Sequence, residues 1–350
     1  MPTDVERQVI ADMLFDASNT AFKYDKLITQ TSVGYFDSIQ DVLIANSKGL
    51  LVKDKRVRTR AYVTSVASSE TEKQKGYFGP GSLKGFEFYK EIDLNEIARE
   101  SARSAVTMLK ADFCPAGKMP VVIDNGFGGV IFHEACGHGL EAAAVAKKAS
   151  VFADKIGEKI ANEKVTAIDD GTILNEWGSI NVDDEGQEGR RNVLIENGIL
   201  KSYMVDEFNG KKFGAKSTGS SRRESYKFVP VSRMTNTFID KGNDKADNII
   251  SSTDYGIYAK YMGGGSVNPT TGEFNFAVSE AYMIRNGKIA EPVRGATIIG
   301  KGAEVLMNID MVSDNLSLSQ GMCGASSGSV PVNVGQPMIR VKNITVGGRG

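Results

Sequence analysis

Histidine is nearly absent from this chain: His133 and His138 are the only two in 350 residues. Cysteine is almost as scarce, with Cys114, Cys136 and Cys323. An odd number of thiols in a chain of this size argues against a disulfide-stapled scaffold and leaves free thiols or metal ligands. No apolar run approaches the ~20 residues that a bilayer-crossing helix needs. The N-terminus, MPTDVERQVIADM, carries acids where a signal peptide has a basic patch and an apolar block. The expectation is a cytoplasmic protein with no membrane association. Net charge is missing too, because 42 basic against 43 acidic side chains leave −1, which offers nucleic acid or an anionic membrane no general attraction. Any ligand has to be recognised locally.

With 41% hydrophobic and 24% charged residues, the composition is that of a folded chain long enough for two domains. Val5, Val9, Ile10, Met13 and Leu14 recur at helical spacing behind Asp4, a candidate N-cap, and predict a helix from Asp4 to about Asn19. From Thr31 to Ser69 the pattern turns β-branched and alternating, and the Ser47-Lys48-Gly49 turn predicts a hairpin or meander. Gly76 to Gly81 reads as a loop, and Asp93 with Glu96 opens a helix running to about Lys110. These elements make a small mixed α/β domain over residues 1–115.

Residues 116–350 then read as a larger, mainly antiparallel β domain, which makes the whole chain α+β. It opens with a strand, Met119 to Asp124, a glycine-rich turn over 125–129, and an apolar lead into the two histidines. Asn197-Gly198 and Asn286-Gly287 each lie between strand-like runs, a strong hairpin signal. A helix is expected over Ala303 to Met311, and a strand from Met338 to Val346.

His133-Glu134-Ala-Cys-Gly137-His138 resembles the zinc-peptidase pattern with one residue added between the histidines. That residue matters, because at about 100° per residue positions five apart diverge by about 140° and cannot share an ion on a regular helix. A π-type bulge or an end-of-helix distortion near Gly137 is therefore expected. A catalytic zinc takes three protein ligands and keeps one position open. Cys136 and Cys114 are candidates for the third, but Cys323, in the polar loop Gly321-Met-Cys-Gly324, ranks first.

Other features carry weaker signals. Gly126-x-Gly128-Gly129 lacks the third glycine of a dinucleotide site and the lysine of a phosphate loop, so its expected job is to bring the chain tightly into the histidine helix. Asp183-Asp184-Glu185 reads as a solvated acidic turn rather than a calcium loop. Arg222 and Arg223 either hold a peptide carboxylate or pair with neighbouring acids. Gly263, Gly264 and Gly265 suit a tight bend or a strand edge with which an extended peptide pairs.

His133-Glu-Ala-Cys-Gly-His-Gly-Leu-Glu141 resembles the signature of the TldD/PmbA family of zinc metallopeptidases, in its TldD branch. Further blocks match in order from about Asn95 onward, among them Val165 to Thr172, Asn192 to Leu200, Arg222 to Tyr226, Arg233 to Thr237 and Val332 to Pro337. The resemblance implies that His133, His138 and Cys323 bind zinc and that Glu134 acts as general base. It also implies small or unfolded peptides as substrates, and a homodimer or a heterodimer with a PmbA-type subunit. Family members usually begin with an additional segment of the order of a hundred residues, the size of a domain, and this chain starts beyond it. The lysine expected two residues after Cys323 is absent, since the run reads Gly-Ala-Ser-Ser-Gly. A rival reading is a non-hydrolytic subunit that binds a peptide or partner around a structural zinc, with Cys136 as fourth ligand.

Overall fold

A computed structural model describes residues 4–268 and 271–349. The chain divides into two compact units: residues up to Val42, Lys53–Asp112 and Pro292–Arg294 form the first, and Leu43–Val52, Phe113–Glu291 and the chain from Gly295 form the second.

In the first unit, helices α1 (Arg7–Phe22) and α2 (Leu94–Lys110) share a core with a sheet. Its strands β1 (Ile28–Ala45), β2 (Leu51–Ser68) and β3 (Lys73–Phe78) are neighbours in that order. α2 starts where its sequence directs it, with the Asp93 carboxylate accepting the N–H of Asn95 at 2.8 Å and Glu96 in the first turn. Its buried face of Leu94, Ala98, Ala102, Ala105 and Val106 meets Ala17 and Ala21 of α1 and Ala61, Val63 and Ala67 of β2. Alanine lets these elements approach closely, and Ser101 Oγ donates to the carbonyl of Gly76 at 3.0 Å. Two expectations shift. α1 begins at Arg7 rather than Asp4, with Glu6 at the cap position making no side-chain bond. The stretch expected as a loop from Gly76 continues β3 to Phe78, because it pairs with β2 from Ser68–Lys73 to Val63–Phe78.

The second unit holds two larger sheets. One contains β4 (Gly117–Ile123), β8 (Tyr255–Val267), β9 (Glu273–Arg285), β10 (Thr297–Lys301) and β13 (Ile339–Gly347). Pairing in the order β8, β4, β13, β10, β9 and back to β8 closes these strands into a barrel, antiparallel except between β8 and β4. The other sheet runs β11 (Ser317–Ala325), β12 (Gly328–Gln336), β7 (Asn236–Ile239), β5 (Ala167–Asp170), β6 (Arg191–Glu196) and the short strand Ile199–Leu200. β11 is an edge of this sheet, which is antiparallel except between β7 and β12. Both Asn-Gly pairs make hairpin turns in the left-handed region, with φ of 48° and 81° at 197–198 and of 51° and 69° at 286–287.

The late helix covers Gly302–Asn308 and gives way to a strand at Ile309–Val312, which pairs with β13 where a longer helix was expected. Among the described residues no helix is long and apolar enough to cross a membrane.

Candidate metal centre

From β4 the chain passes through the glycine turn into helix α3 (Val130–Ala135). The turn serves close packing: a Cβ on Gly129 would stand 2.4 Å from the carbonyl oxygen of Gly335 on β12. α3 then breaks. Cys136, at φ −131° and ψ −48°, leaves the helical region while its N–H still reaches the carbonyl of Phe132, and residues Gly137–Leu140 continue as a 3₁₀ turn. Of the two distortions expected from the five-residue spacing, the structure has the end of a helix rather than a π bulge. Gly137 has no positive φ; its requirement is space, since a Cβ there would lie 2.3 Å from Met234 Sδ.

This break turns both imidazoles toward one sulfur. His133 Nε2 lies 3.3 Å and His138 Nε2 3.4 Å from Cys323 Sγ, and the two rings stand nearly perpendicular, at 86°. Among the described residues these three form a cluster whose ligand atoms all lie within 4.8 Å of one another. A tetrahedral zinc with bonds of ~2.1 Å to nitrogen and ~2.3 Å to sulfur holds nitrogen and sulfur about 3.6 Å apart, so the donor set fits that ion and the two nitrogen–sulfur distances lie close to that value. Cys136 is wholly buried and outside the cluster, and Cys114 is a buried free thiol. Cys323 sits in strand β11, not in a loop: it pairs with Val330 and packs with Val330 and Val332.

The electrostatics of the cluster are uneven. Burial, reinforced by the charges of His138 and Arg233, holds the His133 imidazole well below its ordinary pKa. Burial also opposes protonation of His138, but the Glu141 carboxylate and the Cys323 sulfur outweigh it and push that group up to about 11. Glu134, one turn before His138 and 3.8 Å from its Nε2, is raised by burial, with His138 opposing and Glu141 adding to the shift.

The remaining candidates scatter. Arg222 is turned inward, 3% exposed, with Nη1 donating to the carbonyl of Met234. Arg223 is half-buried, donating its backbone N–H to Asp184 and its Nη1 to the carbonyl of Phe228. Gly263, Gly264 and Gly265 lie on β8 at a bulge against β9, and Gly264 and Gly265 are exposed. The acidic run is not a solvated turn. Asp183 is fully buried and accepts the N–H groups of Glu185, Gln187 and Ser221, so backbone donors replace the water it was expected to keep. Two residues at the centre lie in the blocks that carry the resemblance but were given no role in the sequence reading. Glu141 places Oε2 3.2 Å from His138 Nδ1, and Arg233, wholly buried, donates to the carbonyl of Cys323.

Comparison with known proteins places the chain in a family. The model of the PmbA/TldA metallopeptidase central domain matches residues 2–109, and that of the C-terminal domain residues 116–348. A metalloprotease TldD homolog of Buchnera aphidicola is 42% identical over 346 residues, covering 96% of this chain and 72% of the relative. One from Haemophilus influenzae is 42% identical over 344 residues, covering 96% and 71%. A zinc metalloprotease TldD homolog of Saccharolobus solfataricus is 30% identical, covering 90% and 68%. Among solved structures, a Thermotoga maritima protein described as a modulator of a DNA gyrase superposes with a TM-score of 0.84 at 22% identity, over 99% of this chain and 75% of that one. TldE from Thermococcus kodakarensis superposes at 0.79 and 21%, over 98% and 74%. Domain models covering nearly the whole length, and relatives this similar over most of theirs, make the chain a member of the PmbA/TldD metallopeptidase family, in its TldD branch.

Proposed function

We propose that this chain is a zinc-dependent peptidase acting on small or unfolded peptides, with His133, His138 and Cys323 as the metal ligands and Glu134 as the general acid–base. The observation that carries the reading is the convergence of two imidazole nitrogens on one thiol, 190 and 185 residues away in the chain, beside a partly buried carboxylate. Zinc held there would supply a Lewis acid that polarises a peptide carbonyl and acidifies a water. Glu134 is placed to accept a proton from a water there and to return it to the departing amine. Three ligands rather than four favour an open, catalytic centre over a closed, structural one, and Cys136 lies outside the cluster. Glu134, moreover, has no duty in a purely structural site.

Substrate is held through its main chain. Gly264 and Gly265 offer exposed backbone on β8, a strand against which α3 packs and which β4 pairs only over Ile257–Ala259. Arg223 is the member of the arginine pair left to meet a peptide carboxylate. Assembly with a second copy or a PmbA-type subunit completes the reading. The test is hydrolysis of short peptides by zinc-loaded protein, with and without a chelator. Activity that a chelator leaves untouched would sink the proposal.

A further inference from the structure

Besides the 3.4 Å contact between His138 Nε2 and Cys323 Sγ, a path of buried polar groups joins the two residues. His138 Nδ1 lies 3.2 Å from Glu141 Oε2. The other carboxylate oxygen, Oε1, is buried without a hydrogen-bond partner and stands 3.8 Å from Arg233 Nε, which is likewise buried and unpartnered. The far end of the same guanidinium donates through Nη2 to the carbonyl of Cys323, and through Nη1 to Ser327 Oγ at 2.8 Å and the carbonyl of Gly328 at 3.1 Å. Both ends are anchored in the backbone. Ala142 donates to the carbonyl of Met204 at 2.8 Å beside Glu141, and the N–H of Arg233 reaches the carbonyl of Ser220 at 2.8 Å.

We infer that Glu141 and Arg233 are positioning residues that couple His138 to Cys323, so that both ligands are set by one network. Accepting the Nδ1 hydrogen, Glu141 fixes the tautomer of His138 and leaves the Nε2 lone pair free on the side facing Cys323. A guanidinium is charged at all accessible pH values, so Arg233 supplies the permanent counter-charge that a carboxylate at 7% exposure needs. Its fork at the same time pins the peptide that carries Cys323 and the turn that follows it. His133 has no such support behind its ring: its Nδ1 is buried without a partner. The relay therefore acts on one histidine and the cysteine.

This inference rests on the metal reading above and is tested separately from it. Zinc dissociation constants of the full chain are measured by competition with a chromophoric chelator for the parent, Glu141→Gln, Arg233→Met, Arg233→Lys and the Glu141→Gln/Arg233→Met double variant. Cobalt(II) spectra report thiolate ligation in each. Glu141→Gln is expected to weaken zinc 10- to 100-fold while its thiolate-to-cobalt band persists. Arg233→Met should weaken zinc comparably, Arg233→Lys less, and the double variant little more than the worse single one, because the two act in one path. Thermal unfolding in chelator identifies a variant that has failed to fold; if Arg233→Met fails, the isosteric Glu141→Gln and the charge-retaining Arg233→Lys carry the test. A zinc affinity of Glu141→Gln within twofold of the parent, with His138→Ala having lost it, would overturn the relay and leave the metal centre standing, as would strictly multiplicative losses in the double variant. Should His133→Ala, His138→Ala and Cys323→Ala all bind zinc like the parent, the centre itself fails and the relay with it.

Discussion

At the scale of single residues, the proposed division of labour around the cluster separates binding from turnover in its predictions. Glu134→Gln is expected to keep stoichiometric zinc and lose about 10²- to 10⁴-fold in peptide hydrolysis, the usual worth of a positioned proton-transfer group. His133→Ala, His138→Ala and Cys323→Ala should instead lower zinc affinity; parental turnover by Glu134→Gln would remove that residue from the chemistry. Asp169 gives a test of a different kind, away from the ligands. It is fully buried on β5 and accepts from Thr235 N–H at 2.7 Å, Thr235 Oγ1 at 2.9 Å and Thr237 Oγ1 at 2.6 Å. Burial outweighs these bonds and raises its pKa to about 6 from 3.8. A raised carboxyl binds its proton more tightly folded than unfolded, so its contribution is complete below about pH 4 and is lost as the pH climbs through 6. Asp169→Asn removes that slope. Its stability relative to the parent should therefore rise by up to about 3 kcal/mol between pH 4 and pH 7, on top of a constant loss from the amide's poorer fit to three donors. Urea unfolding of both proteins across that range decides it, and a difference that stays flat with pH would refute the assignment.

Among the elements, the break after α3 matters most, because it converts a spacing that a regular helix cannot use into convergent ligands. Gly137→Val should cost zinc affinity without touching a ligand, since the new side chain would collide with Met234 Sδ and displace the 3₁₀ turn that carries His138. Unchanged zinc titration of a folded Gly137→Val protein would contradict this. The break was legible in the sequence because it follows from arithmetic on one helix, and α2 and the two Asn-Gly hairpins were legible because cap and turn chemistry is local. Cys323, ranked first among the thiols, is the one the structure brings to the two histidines, yet it was expected in a loop. Its glycine- and serine-rich surroundings have little strand propensity, and the strand exists because the valines of β12 pair with it. Tertiary pairing likewise extended β3 and cut short the helix at Asn308. Arg233 left no local signal, because the groups it serves lie 90 or more residues away along the chain.

For the molecule as a whole, near-zero net charge and the inward turn of Arg222 leave few side chains to select a substrate. The proposed main-chain pairing along β8 beyond Ala259, where its pairing with β4 ends, predicts cleavage that tolerates many sequences but spares folded proteins, and N-methylation near the scissile bond should hurt more than changing neighbouring side chains. Strict dependence on one residue type beside the cut, or efficient digestion of a stably folded domain, would count against it. The separation of 190 residues between His133 and Cys323 bears on a different matter, the timing of competence. During synthesis the proposed ligand set stays incomplete until β11 has emerged and paired with β12, so a nascent or truncated chain would carry the histidine motif without its third ligand. Once closed, a zinc bound only by the native state acts as a cross-link worth about 4 kcal/mol at a thousandfold excess over its dissociation constant. The unfolding midpoint should therefore climb with free zinc in the parent and stay still in Cys323→Ala; an equal response in both would sever metal from fold. On the proposed function, the same bond that arms the enzyme would certify that it is finished, and thermal damage that opens the sheet would disarm it in the same event.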